Sequence, residues 1–198
     1  MGQLNWRNCY FVISGRIAVI AGENRGWAQH TEVIDLTNSS LEYDLLPDVS
    51  ERFGSVGGLL LGQPLICGGY NCYDNEYLQD CVKLGHSETK FDLLEKRCGA
   101  ASVVLDQKTL WVTGGEDGND DLLTTEFISL HHSPIKGPDL PFTIERHGLV
   151  YFNDKSIYMI GGFQDRKISN RTWIINLSEG FSIKEGPPMN VANHTRLI

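Results

Sequence analysis

The chain has 198 residues, 41% of them apolar and 21% charged, which is ordinary for a folded globular protein and enough for one sizeable core. Its formal charge of -8 argues against a nucleic-acid partner, because phosphates demand a basic footprint. Membrane insertion is not expected either: the most apolar stretch, from Cys9 to Gly22, is too short to span and is broken by Gly15 and Arg16.

Taken in chain order, that first stretch, "CYFVISGRIAVIAG", predicts two strands joined by a turn at Ser14-Gly15. It is also a poor secretion signal, since Arg16 interrupts the apolar run. Trp6 stands where a myristoylation motif starting at Gly2 would need Ser or Thr. The same apolar run, ending in a small-residue pair, then recurs as "LICGG" from Leu65, "LWVTGG" from Leu110 and "IYMIGG" from Ile157. The second glycines fall at Gly22, Gly69, Gly115 and Gly162, spaced by 47, 46 and 47 residues. The leucines that close each unit fall at Leu36, Leu84, Leu130 and Leu177, spaced by 48, 46 and 47. Two independent markers with one period define a repeat array.

The fourth unit is the clearest. "HGLVYF" predicts a strand, "NDK" a turn and "SIYMI" a second strand; "RTWIINL" and "FSIKE" follow the Gly161-Gly162 loop as third and fourth. No window keeps a helical apolar period over three turns. Four antiparallel strands per unit is the organisation of a propeller blade. A second strand that is apolar at nearly every position is buried on both faces, and paired glycines after it suit a place where backbone approaches backbone.

An apolar run, a Gly-Gly pair, a variable loop and then a large or branched residue (Val33, Cys81, Phe127, Trp173) resembles the kelch repeat. The first copy departs from it with Ala21-Gly22, and of the family's spaced aromatic residues only Trp173 stands clearly in place. The resemblance implies an all-β, kelch-type β-propeller arc of about four four-stranded antiparallel blades in one domain, residues 1–198. The repeats are expected at roughly 7–47, 52–94, 97–141 and 146–188, with 190–198 opening a further blade. Kelch rings typically have six or seven blades, so the arc is expected to belong to a larger ring.

An arginine opens each unit: Arg7, Arg52, Arg97 and Arg146, spaced by 45, 45 and 49 residues. In kelch adaptor propellers arginines at this place line the channel mouth and grip acidic peptides, so the resemblance implies partner binding by these four. Guanidinium groups suit bidentate carboxylate contacts. The competing reading is structural: each Arg pairs with a Glu or Asp of a neighbouring blade.

No nucleophile–base pair, Gly-x-Ser-x-Gly or phosphate loop is present. Asp117, Asn119 and Asp121 have the alternate spacing of a calcium loop, but Leu122 and Ile128 occupy its glycine and closing-glutamate positions; a solvated loop is expected. His131-His132 reads as an exposed turn. Cys67, Cys72 and Cys81 lack zinc spacing, so no metal or cofactor is expected. Cys67 ends a second strand and Cys81 lies in the third, which lets them face each other as a disulfide. Sequons at Asn38 and Asn176 fall in expected turns and mark candidate glycosylation sites. With an odd count of five cysteines, these features tilt the compartment only slightly toward the extracellular side. The expected function is a non-enzymatic protein–protein interaction module; the alternative is a carbohydrate-active enzyme, an epimerase or oxidase, on a propeller scaffold.

Overall fold

The computed structural model describes residues 52–71, 73–83 and 90–192, together with the backbone of five strands between residues 9 and 35. The first unit holds β1 (Cys9–Ile13), β2 (Arg16–Ile20), the short ribbon β3 (Glu23–Asn24) and β4 (Trp27–Ala28), and β5 (Glu32–Asp35). The second repeats this plan with β6 (Val56–Leu60), β7 (Gln63–Cys67), the ribbon β8 (Tyr70–Asn71) and β9 (Glu76–Tyr77), β10 (Asp80–Lys83) and β11 (Lys90–Asp92). The third has β12 (Ala101–Val104), β13 (Leu110–Thr113), β14 (Thr125–Ile128) and β15 (Ile135–Lys136). The fourth has β16 (Gly148–Asn153), β17 (Ser156–Ile160), the ribbon β18 (Phe163–Gln164) and β19 (Lys167–Ile168), β20 (Thr172–Asn176) and β21 (Ser182–Glu185). The only helical segment among the described residues is one 3-10 turn, Leu177–Glu179.

Each of the last three units is a four-stranded antiparallel meander with strands in chain order from one edge to the other. The first contributes three paired strands, β1-β2-β5. The opening strands β1, β6, β12 and β16 stand side by side in that order, so neighbouring sheets face one another. The chain is therefore all-β and propeller-like in plan.

Strand β13, packed between two sheets, is buried at all four positions, and its residues alternate between the two seams. Leu65, Cys67, Cys81, Leu110, Val112 and Ile128 close the seam between the second and third sheets. Trp111, Ile144, Ile157, Met159, Trp173 and Ile175 close the seam between the third and fourth.

The glycine pairs explain how the sheets are stitched. Gly68-Gly69, Gly114-Gly115 and Gly161-Gly162 all have positive φ, between 59° and 104°, which other residues adopt only with strain. Gly69 N–H donates to Arg97 O at 2.7 Å, and Gly115 N–H donates to Ile144 O at 2.8 Å. The second glycine of one unit thus holds the opening segment of the next. A Cβ on Gly115 would lie 2.8 Å from Cys98 O, so the close approach excludes a side chain.

Candidate functional site

These stitches fix which residues of successive units are equivalent. Phe53 and Tyr70 exchange both backbone hydrogen bonds, as do Cys98 with Glu116 and Glu145 with Phe163. Phe53, Cys98 and Glu145 are therefore counterparts. Counting from them, Arg52 and Arg97 correspond to Ile144, and Gly54 and Gly99 correspond to Arg146.

The arginine register expected from sequence is thus corrected. Arg52 and Arg97 are equivalent, but Arg146 stands two residues later, where the preceding units carry glycine. The "ERHG" string resembles "ERFG" and "KRCG" without occupying their place. Arg7 lies outside the described residues.

Nor do Arg52 and Arg97 line an open mouth; both are buried. Arg52 grips Asp80 with two nitrogens, Nη1 to Oδ1 at 3.1 Å and Nη2 to Oδ2 at 2.8 Å, and also donates to Gly68 O. Arg97 donates from Nε to Glu126 Oε1 at 2.8 Å, from Nη1 to Gly114 O and Thr124 O, and from Nη2 to Glu95 Oε2 and Thr124 Oγ1. Glu126 accepts further bonds from the Leu94 and Glu95 N–H groups, and the Thr124 hydroxyl donates to Glu95. All five donors of Arg97 are consumed internally, and Arg52 is buried on the Asp80 carboxylate, so neither guanidinium is presented at the surface.

Arg146 differs in every respect. Its backbone is left-handed, with φ of 54°, like Gly54 at 65° and Gly99 at 66°. It keeps 40% of its side-chain surface exposed while its Nε lies 3.1 Å from Glu145 Oε2 and its Nη2 lies 3.3 Å from Glu116 Oε1. Glu145 itself is only 4% exposed, and its Oε2 accepts no hydrogen bond of good geometry. Burial is the main force raising Glu145, opposed by Arg146 and reinforced by Glu116 and Asp121; together they push it up to about 7. Asp121 is also raised, first by burial and then by Glu116. The Tyr77 hydroxyl donates to Glu116 Oε2 at 3.2 Å and is pushed up to about 12 by burial and by that carboxylate. Arg146, Glu116, Asp121, Glu145 and Tyr77 therefore form one charged, partly open cluster beside the glycine pairs, joining the second, third and fourth units.

Sequence reading missed this cluster. Its members come from three units and only the fold assembles them. The one visible sign was the 49-residue step to Arg146 after two arginine steps of 45.

Next to it, His147 is fully buried with its Nε2 2.7 Å from Thr113 Oγ1, and burial depresses its pKa to about 3. It is neutral and structural at physiological pH.

The remaining expected sites fall as follows. Cys67 and Cys81 are directly opposed on β7 and β10 and bridged, with S–S 2.01 Å and Cα–Cα 4.0 Å. Asn176 caps the 3-10 turn and accepts from both the backbone N–H and the hydroxyl of Ser178, its own sequon serine. Asn38 lies outside the described residues. Asp117 Oδ1 accepts the N–H groups of Asn119 and Asp120 at 2.7 and 2.9 Å, making the loop a self-closed turn. His131 and His132 are exposed. Among the described residues no group of three or more His, Cys, Asp or Glu side chains could hold a metal ion, and no helix is long and apolar enough to cross a membrane.

No family model and no curated protein matches the chain. Its backbone does match solved structures, among them that of YjhT, with a TM-score of 0.76 at 11% sequence identity. The match takes in 93% of this chain and 66% of YjhT, so the chain spans just under two thirds of that protein's length. At this identity the likeness is one of fold alone, and it supports the propeller-like, all-β architecture.

Proposed function

We propose that the chain is a non-enzymatic protein-interaction module, a kelch-type propeller arc of about four blades that holds a protein partner through the loops beside its glycine pairs. Arg146 carries this reading. A non-glycine residue in the left-handed region costs on the order of 1 kcal/mol, and such strain gathers at functional sites. The fold has a strain-free solution at this place, since Gly54 and Gly99 use it. Arg146 forgoes that solution and brings a half-exposed guanidinium to the surface. A carboxylate of an acidic peptide is the group that its exposed side fits. The Cys67–Cys81 bridge and the sequons at Asn38 and Asn176 support an oxidising, extracellular setting.

The test is fluorescence-anisotropy titration of an Asp/Glu-rich peptide panel against the chain and its Arg146→Gly variant. One charge-assisted contact is worth about 1.5–3 kcal/mol, so the variant should bind at least about tenfold more weakly while melting within a few degrees of the parent. Equal binding by both proteins would remove Arg146 from any partner site.

One observation favours the enzyme reading: Glu145, raised to about 7 beside Glu116, pairs two carboxyls whose environments differ, as acid–base catalysts do. Turnover of a sugar panel that vanished in Glu145→Gln would establish it. The near-complete burial of Glu145 favours the interaction module instead.

A further inference from the structure

The fourth sheet carries apolar residues on both faces, with Lys184 paired to Ile174 on the outer one. One face, with Ile157, Met159, Trp173 and Ile175 buried, packs on the third sheet. The opposite face carries Val150 at 45% and Phe152 at 66% exposure, with Tyr158 and Ile174 half-buried. These residues adjoin: Val150 pairs with Tyr158, Tyr158 pairs with Ile174, and the Phe152 ring meets Tyr158 edge-on at 5.0 Å.

Register identifies what such a face is for. In the third sheet Val103 pairs with Trp111, and Trp111 pairs with Phe127, in the same relation to the glycine pair. Val103, Leu105, Trp111 and Phe127 are thus the counterparts of Val150, Phe152, Tyr158 and Ile174. Those four form the third sheet's half of its seam with the fourth, where Trp111 is fully buried. The outer face of the fourth sheet is therefore half of one more seam of the same kind. Its complement is a sheet with apolar residues at the positions of Tyr151, Ile157, Met159, Trp173 and Ile175. In the first sheet, pairing in register puts Val12, Ile17, Val19 and Ile34 at four of these positions and Glu32 at that of Trp173.

We propose that the face formed by Val150, Phe152, Tyr158 and Ile174 docks a second copy of this chain through that copy's first sheet, joining copies end to end. The contact is heterologous: it joins the fourth sheet of one copy to the first sheet of the next, and contacts of this kind either close into rings or continue as open chains. Exposed apolar patches of this kind drive association in water.

The test is sedimentation velocity of the full chain across a hundredfold range of concentration, beside a Val150→Glu/Phe152→Lys variant. Both positions are exposed, so the variant should keep the parent's melting curve. The parent should grow with concentration, and the variant should stay monomeric, its apparent association at least tenfold weaker. Addition of the variant to the parent should then shorten the assemblies, because its first sheet still caps a parent's open face. A parent that is monomeric throughout, or a variant that associates equally well, overturns the proposal. A variant that is monomeric yet leaves the parent's assemblies unchanged overturns it too, since that result means like faces meet one another.

Discussion

Arg146 N–H donates to Gly99 O at 2.6 Å, and both residues hold left-handed backbone, as Gly99 N–H does in turn to Gly54 O at 2.8 Å. The three residues form a relay across three units in which only the last carries a side chain. Arg146→Gly would relieve that backbone and at the same time remove the cation between Glu145 and Glu116. Its effect should therefore change sign with pH. Below about pH 6, where Glu145 holds its proton, the variant should be more stable by roughly 1 kcal/mol. Above pH 8 it should be less stable than the parent. Thermal melts at the two pH values check this, and curves displaced in the same direction at both would refute it.

Glu145 and His147 impose opposite pH slopes. The folded value of Glu145, about 7, lies above its ordinary 4.5, so its contribution is fully present below pH 4.5 and fades as pH rises through 7. His147 is depressed to about 3 from 6.5, so its contribution is present above pH 6.5 and fades as pH falls toward 3. Between pH 4.5 and 6.5 the two partly cancel. Glu145→Gln should leave the histidine slope alone, making stability rise steadily from pH 4 to 7, and should stabilise the fold at pH 8 by on the order of 2 kcal/mol. Denaturant titrations across that range provide the measurement.

Arg97 and Glu126 are a buried pair with both side chains only 1% exposed. Truncation of one partner strands the other charge, so Arg97→Ala should cost about 3–5 kcal/mol. Arg97→Met combined with Glu126→Leu should recover much of that loss. Arg146→Ala, at a half-exposed site, should cost far less. Equal losses at Arg97 and Arg146 would mean that the two sites are equivalent after all.

The Cys67–Cys81 bridge closes a loop with a sequence separation of 14 residues. Cross-links of that size stabilise by about 3 kcal/mol, so the double Cys→Ala variant should melt several degrees lower. Alkylation of the unreduced, unfolded chain should leave these two thiols unlabelled and label Cys98.

The period, the strands and the opposed cysteines were legible because each depends on short-range pattern. A buried strand must be apolar, a close approach must be glycine, and two cysteines flanking one loop must meet if their strands pair. The arginine register was misread for a physical reason. Arg-x-Gly is a three-letter resemblance, whereas the true counterpart of Arg97 is Ile144, an apolar residue that fills the same space without a charge. The paired backbone hydrogen bonds of Glu145 with Phe163, and the one that Gly115 N–H donates to Ile144 O, identify it. Glu145 and Glu116 escaped notice because each looks like an ordinary surface acid until the fourth unit closes over the third.

The hydrogen bonds that Gly69 and Gly115 donate to the next unit's opening segment also govern how such a chain can change length. At both described junctions bonds run in each direction: Gly69 N–H meets Arg97 O while Gly99 N–H meets Gly54 O, and Gly115 N–H meets Ile144 O while Arg146 N–H meets Gly99 O. Removing or duplicating a whole unit, cut at any point in the period, rejoins donor to acceptor and leaves the count unchanged. Removing half a unit strands both. The molecule is built like a zip fastener, extendable by complete teeth and by nothing smaller.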